Sequence, residues 1–123
     1  MTHILIVEDE APLREAYQTI LTTHGHKVET AADGEEALRL VHKRVPDVIL
    51  LDMKLPHVSG LEFLRQLHAD DSKALKAAII VFSNQENEAD IDEAYRLGAK
   101  NYIIKAWASP RNLVKIIDEV LAK

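Results

Sequence analysis

Cysteine is absent from this 123-residue chain, so neither a disulfide framework nor thiol chemistry is open to it. Positive charge is in the minority: 15 Lys and Arg stand against 20 Asp and Glu, and a net charge of −5 leaves no overall basic footprint for nucleic acid. No apolar stretch approaches the ~20 residues needed to span a bilayer. No leader pattern precedes the first apolar run either, since Thr2 and His3 pass straight into Ile4. Membrane and nucleic-acid partners are therefore not expected, and the expected location is the cytoplasm. There is no internal repeat, low-complexity segment or linker. With 47% hydrophobic residues the chain can build a real core, and a single domain over residues 1–123 is the natural count.

What the chain does have is a set of short apolar runs, each ending on a reactive side chain. Ile4-Leu5-Ile6-Val7 runs into Glu8-Asp9, and Val48-Ile49-Leu50-Leu51 runs into Asp52. Ile79-Ile80-Val81-Phe82 ends at Ser83, and Tyr102-Ile103-Ile104 ends at Lys105. Continuous runs of this length read as strands buried on both faces of a parallel sheet. Lys27–Ala31 instead alternates polar and apolar residues, the mark of a half-exposed edge strand.

Helical patterns fall between the runs. The first carries Leu13, Ala16, Tyr17, Ile20 and Leu21 on one face, with Pro12 in its first turn and Gly25 at its end. Asp33 and Glu36 form a capping box before Ala37, Leu38 and Val41. Ser59 and Glu62 form another before Leu61, Leu64 and Leu67. The fourth helix, roughly Glu86–Leu97, has only Ile91, Ala94 and Tyr95 as its apolar face. Ser109-Pro110 opens the last helix, which presents Leu113, Ile116, Ile117, Val120 and Leu121. Five alternations predict an α/β fold: a flavodoxin-like (βα)5 three-layer sandwich around a parallel five-stranded sheet of order 2-1-3-4-5.

In open α/β sheets the site lies beyond the carboxyl ends of the strands. Glu8, Asp9, Asp52, Ser83 and Lys105 are thus expected in one crevice. Clustered carboxylates repel, so a fold keeps them only with a cation to offset them or with a shared proton. Oxygen ligands with room for water and phosphate oxygens suit Mg²⁺. A carboxylate can act as a nucleophile toward phosphorus. Lys105 would then meet phosphoryl oxygens as a point charge, and Ser83 would donate a hydroxyl. Alone, a serine or lysine at a strand end is an ordinary turn or solvated residue; the joint placement carries the signal. His24, His26, His42, His57 and His68 show no metal-ligand spacing and read as solvated or capping residues.

A series of segments in order resembles the receiver domain of two-component response regulators over essentially the whole chain. They are Ile4–Glu10, Ala32–Leu38, Pro46–Pro56 with Ser59-Gly60, and Leu97–Lys105. The resemblance implies that Asp52 accepts a phosphoryl group from a histidine kinase or phosphotransfer protein. It implies that Glu8, Asp9 and Asp52 bind Mg²⁺ or Mn²⁺ with the backbone carbonyl of Lys54. Ser83 and Lys105 would contact the phosphoryl group, and Ser83 and Tyr102 would form the switch. The output surface would be the fourth helix, fifth strand and fifth helix, acting on an unidentified downstream protein or through a phosphorylation-dependent dimer. The chemistry would be slow and self-catalysed, not that of a metabolic enzyme.

The chain also departs from that family. Ala106 follows Lys105 where proline is usual, often with a cis bond. Cis before a non-proline costs ~2.5–4 kcal/mol, so a trans loop is expected here. Trp107 follows, expected to be partly exposed beside the site. Asn84 stands where a small residue is common and would narrow access to Asp52. Lys54 and Gln85 are expected to set the lifetime of the phosphorylated state. Other readings fit less well. A haloacid-dehalogenase-type phosphohydrolase needs a second aspartate where Lys54 stands, and usually a cap domain. A flavodoxin-like cofactor binder needs a phosphate-cradling loop, which Glu8-Asp9-Glu10 would repel. A degenerate receiver working purely as an interaction module is the remaining alternative, favoured by Ala106 and Asn84 and opposed by the intact acidic cluster.

Overall fold

The computed structural model describes residues 2–70, 72–84, 87–107 and 109–122, with the side chain of Trp107 outside the described atoms. Strands and helices alternate along them: β1 (His3–Val7), α1 (Ala11–Thr23), β2 (Lys27–Ala31), α2 (Gly34–Lys43) and β3 (Val48–Asp52). They continue as α3 (Gly60–Ala69), β4 (Ala78–Ser83), α4 (Glu88–Arg96), β5 (Ala99–Ile104) and α5 (Pro110–Leu121). The strands form one parallel sheet in the order β2-β1-β3-β4-β5. This is the predicted flavodoxin-like arrangement. Every residue of β1, β3 and β4 is buried, as continuous apolar runs require, while β2 and β5 are partly exposed at the two edges.

Alternation along the strands divides the core in two. Leu5, Val7, Ile49, Leu51, Ile79 and Val81 pack with residues of α2, α3 and α4. Ile4, Ile6, Val48, Leu50, Ile80 and Phe82 pack with Tyr17 and Leu21 of α1 and Leu113, Val114 and Ile117 of α5. Among the described residues no helix is long and apolar enough to cross a membrane.

The caps follow the sequence. The Glu36 amide donates to Asp33 Oδ1 at 2.8 Å, while the Glu36 carboxylate accepts from the Ala32 amide, one residue before the position a capping box names. Ser59 Oγ accepts from the Glu62 amide. On α3 the buried stripe is Gly60, Phe63, Leu64 and Leu67, at the i, i+3, i+4, i+7 spacing of one helical face. Phe63 thus takes the core place expected of Leu61, which is only partly buried. On α5, Val114 is buried instead of Leu121, which lies in the last turn and is 39% exposed. Ala16 of α1 is likewise exposed.

Helix α4 starts at Glu88, later than expected, with Asn87 as its cap. Asn87 Oδ1 accepts from the Ala89 and Asp90 amides at 3.0 and 3.3 Å. Glu86 itself lies outside the described residues. Only Ala94 of α4 is fully buried, and Tyr95 is 46% exposed. Gly98 ends this segment at φ +118°, a conformation that side chains rarely adopt. β5 begins at Ala99, ahead of the apolar run Tyr102-Ile103-Ile104, with a bulge opposite Ile79 and Ile80 that leaves Lys100 without a register partner. No peptide bond among the described residues is cis, including the one before Ala106, as expected.

Candidate functional site

Register alone sets the heights of the reactive groups. Val7 pairs with Leu51, so Glu8 follows at the level of Asp52. Asp52 pairs with Phe82, and Ser83 pairs with Ile104, the residue before Lys105. Beyond this end of the sheet lies a cavity of about 340 Å³ lined by Asp9, Glu10, Asp52, Lys54, Ser83, Asn84 and Lys105. The expected residues meet there, apart from two. Gln85 lies outside the described residues, and Glu8 sits behind the lining, with no exposed surface.

At the centre is a buried ammonium. Lys105 Nζ lies 2.8 Å from Asp52 Oδ2 and 2.6 Å from Glu8 Oε1, with Glu10 Oε1 farther out at 4.0 Å. Asp52 and Ser83 are almost fully buried. The other Asp52 oxygen, Oδ1, accepts from the Lys54 amide at 3.1 Å. Glu8 Oε2 takes a long bond from the Glu10 amide at 3.3 Å. Burial pushes the Glu8 carboxyl from 4.5 up to about 7; Lys105 pulls it down and Asp52 pushes it further up. Burial works against the charge on Lys105, yet the hydrogen bonds and fields of Asp52 and Glu8 outweigh it and hold the ammonium above its ordinary value.

Glu8, Asp9 and Asp52 each bring a carboxylate oxygen within 4.8 Å of the others. Oxygens opposed across an octahedral Mg²⁺ stand about 4 Å apart, so small movements would close all three on one ion. The donor set is all oxygen, and Asp9 is exposed to the solvent from which an ion would arrive. These residues fit a hard divalent cation.

Several supporting residues had no marker in the sequence. Arg14 of α1 reaches back so that Nη1 donates to the Glu8 carbonyl at 2.9 Å, with the Asp9 carbonyl at 3.4 Å. Gly60 packs directly on the carboxyl end of β3: a Cβ there would overlap the carbonyl oxygen of Asp52 and the Cα of Met53. Its amide donates to the Met53 carbonyl at 3.0 Å. Tyr102, which was expected as a switch residue, packs against the core on the α2–α4 side, and its amide donates to the Tyr95 hydroxyl at 3.0 Å. Arg65 of α3 grips Glu93 of α4 through two bonds of 2.7 and 2.9 Å. The expectation for the Trp107 side chain lies outside the described residues. None of the histidines joins a metal-binding group among the described residues. His24 and His42 bond through Nδ1 to the Ile20 and Leu38 carbonyls one turn back, and His3 is buried beside Glu29.

The model of the response regulator receiver domain family matches residues 4–118. The chain is 37% identical over 120 residues to a probable transcriptional regulator, ycf27, of Guillardia theta, covering 98% of this chain and 45% of that one. It is 37% identical over 120 residues to the phosphate regulon transcriptional regulatory protein PhoB of Pseudomonas aeruginosa, covering 98% and 52%. The chain thus spans about half the length of the curated relatives it matches. Among solved structures, a CheY-like receiver domain protein from Methanospirillum hungatei superposes with a TM-score of 0.90 at 29% identity, over 99% of this chain and 94% of that one. Chemotaxis protein CheY4 of Vibrio cholerae gives 0.87 at 29% identity, over 98% of each.

Two outcomes follow from the geometry. Gly60→Ala should lower stability by about 2 kcal/mol, because neighbouring backbone cannot give way to the added methyl. Urea denaturation measures this, and a neutral result would contradict the close packing. The second concerns pH in chelator. Between 4.5 and about 7 the folded chain keeps a Glu8 proton that the unfolded chain has lost. Stability should therefore fall as pH rises through that window and level out above about 7. Excess Mg²⁺ should flatten the fall; melting temperatures across pH, with and without the ion, check both.

Proposed function

The chain belongs to the response regulator receiver domain family of two-component systems, and on that premise we propose that it is a phosphorylation-driven switch whose acceptor is Asp52. The observation that supports this most directly is the position of Asp52: buried, at the end of a central strand, with one oxygen on Lys105 and one on a backbone amide.

In this reading an Asp52 carboxylate oxygen attacks the phosphorus of a phosphohistidine on a histidine kinase or phosphotransfer protein. The new P–O bond forms as the P–N bond breaks, and the imidazole leaves to take up a proton. A Mg²⁺ or Mn²⁺ ion held by Glu8, Asp9, Asp52 and the Lys54 carbonyl would neutralise charge on the phosphoryl oxygens. The Lys54 amide already fixes one acceptor oxygen at 3.1 Å and so orients the carboxylate. Lys105 is near enough to transfer its ammonium from Asp52 Oδ2 to a phosphoryl oxygen. Ser83, lining the same cavity, would donate its hydroxyl to another. Asn84 and Lys54 stand at the mouth and, with Gln85, would govern entry of donor and water.

Phosphorylation adds roughly two negative charges to this pocket. Withdrawal of Lys105 and Ser83 toward them would be read by Tyr102 on β5 and by α4, which is held by one buried residue and exposed polar contacts. A protein partner, or a second copy, would bind the altered α4–β5–α5 face. The net charge of −5 supports a protein target over nucleic acid for this domain, although relatives named as transcriptional regulators are about twice its length.

Intact mass after incubation with a small phosphodonor, with and without Mg²⁺, tests the reading. One phosphoryl gain requiring both Mg²⁺ and Asp52 is expected, with none in Asp52→Asn. A gain that survives Asp52→Asn would overturn the assignment. No gain from either a small donor or histidine kinases would leave a phosphorylation-independent interaction module instead. Lys105→Ala is expected to accept phosphate yet lose the response of α4 and β5. Amide NMR shifts at Tyr102 on phosphorylation report it, and a normal response would remove Lys105 from the switch.

A further inference from the structure

The Lys105 ammonium has an aromatic neighbour besides the carboxylates. Nζ lies 5.4 Å from the centroid of the Phe82 ring, within the range of a cation–π contact. Phe82 is completely buried and is the register partner of Asp52 on the adjacent strand. Tyr17 of α1 meets that ring edge-on, with centroids 5.5 Å apart and planes at 86°. It too is buried. The positive edge of one aromatic ring against the negative face of another is a favoured geometry. Tyr17 therefore braces Phe82 from the α1 side.

We propose that Phe82, braced by Tyr17, is a positioning residue that holds the Lys105 ammonium between Glu8 and Asp52. This rests on the reading of the site given above. The need for such a device is visible in the loop. A 3₁₀ turn of Lys105–Trp107 follows β5, with a trans peptide bond and Ala106 offering one methyl to fix the backbone. A four-carbon side chain on such a turn has many rotamers, and both carboxylates lie to one side of it. An aromatic face beneath the ammonium removes much of that freedom. It also partly replaces the water lost on burial, since the ring's electron-rich face attracts a desolvated cation.

A double-mutant cycle in chelator, free of phosphodonor, tests the contact itself. Phe82→Leu, Lys105→Met and the double variant are compared by urea unfolding. The expected coupling is roughly 3- to 30-fold in the unfolding constant. Additivity within about twofold would overturn the proposal. Should Phe82→Leu or Lys105→Met fail to fold, site-specific fluorinated phenylalanines at position 82 keep the shape of the ring while weakening its face. Stability should then decline with each added fluorine; a flat series would show a purely steric ring and also overturn the proposal.

The link to chemistry is read separately, as the rate of phosphoryl gain on the fluorinated chain. A drop of about threefold or more, abolished when Lys105 is methionine, is expected. An unchanged rate would limit Phe82 to stability and end its positioning role. If the unaltered chain takes no phosphate at all, the functional reading fails, while the unfolding cycle still decides whether Phe82 holds Lys105.

Discussion

A buried ammonium between two buried carboxylates would leave, on loss of either sign, an uncompensated charge costing several kcal/mol by order of magnitude. Asp52 ends β3, while Glu8 and Lys105 directly follow β1 and β5, so their pairing ties the ends of these three strands together. Much of the nearby structure serves this arrangement. Arg14 closes the β1–α1 turn, the Lys54 amide fixes the second Asp52 oxygen, and the missing side chain at Gly60 lets α3 approach the strand end. The pairing leaves one formal positive charge against the carboxylates of Glu8, Asp9 and Asp52, with Glu10 nearby. Burial, reinforced by Asp52, raises the Glu8 carboxyl, and the excess of carboxylates fits a divalent ion.

The two edges of the sheet differ in how firmly they are held. β4 and β3 are enclosed on both faces, whereas β5 is an edge strand whose outer neighbour, α4, buries only Ala94 completely. Among the described residues its polar ties include the Tyr95 hydroxyl on the Tyr102 amide and the exposed Arg65–Glu93 pair. Exposed ion pairs contribute about 0–1 kcal/mol, so this corner costs little to rearrange. Lys105 sits at the end of that same strand, which physically connects a change of charge at Asp52 with the proposed output face.

Most of the architecture was legible because each strand carried its own pattern. The apolar runs marked buried strands, the alternation in Lys27–Ala31 marked an edge, and the capping residues Asp33, Ser59 and Ser109 marked helix starts. Legibility failed where local signals were weak or competed. α4 begins after Asn87 rather than at the expected Glu86, and Phe63 displaced Leu61 in the core because only the assembled sheet chooses which stripe of a helix is covered. Glu8, Asp9, Asp52, Ser83 and Lys105 could be nominated because parallel strands of matched length place their ends together. Phe82 could not, since an aromatic residue in a buried strand looks like ordinary core.

The sequence by itself determined the strand order, the two-sided core and which reactive side chains stand at the carboxyl ends, because these follow from periodicity and chain direction. Tertiary structure alone decided how those side chains engage. It set the register that levels Glu8 with Asp52, the reach of Lys105 over Phe82, and the closeness of Gly60 to the Asp52 carbonyl. Contacts of this kind join residues as far apart in the chain as Glu8 and Lys105. Local propensity extends over a few residues, whereas electrostatic pairing and close packing act on whatever the fold brings within a few ångströms.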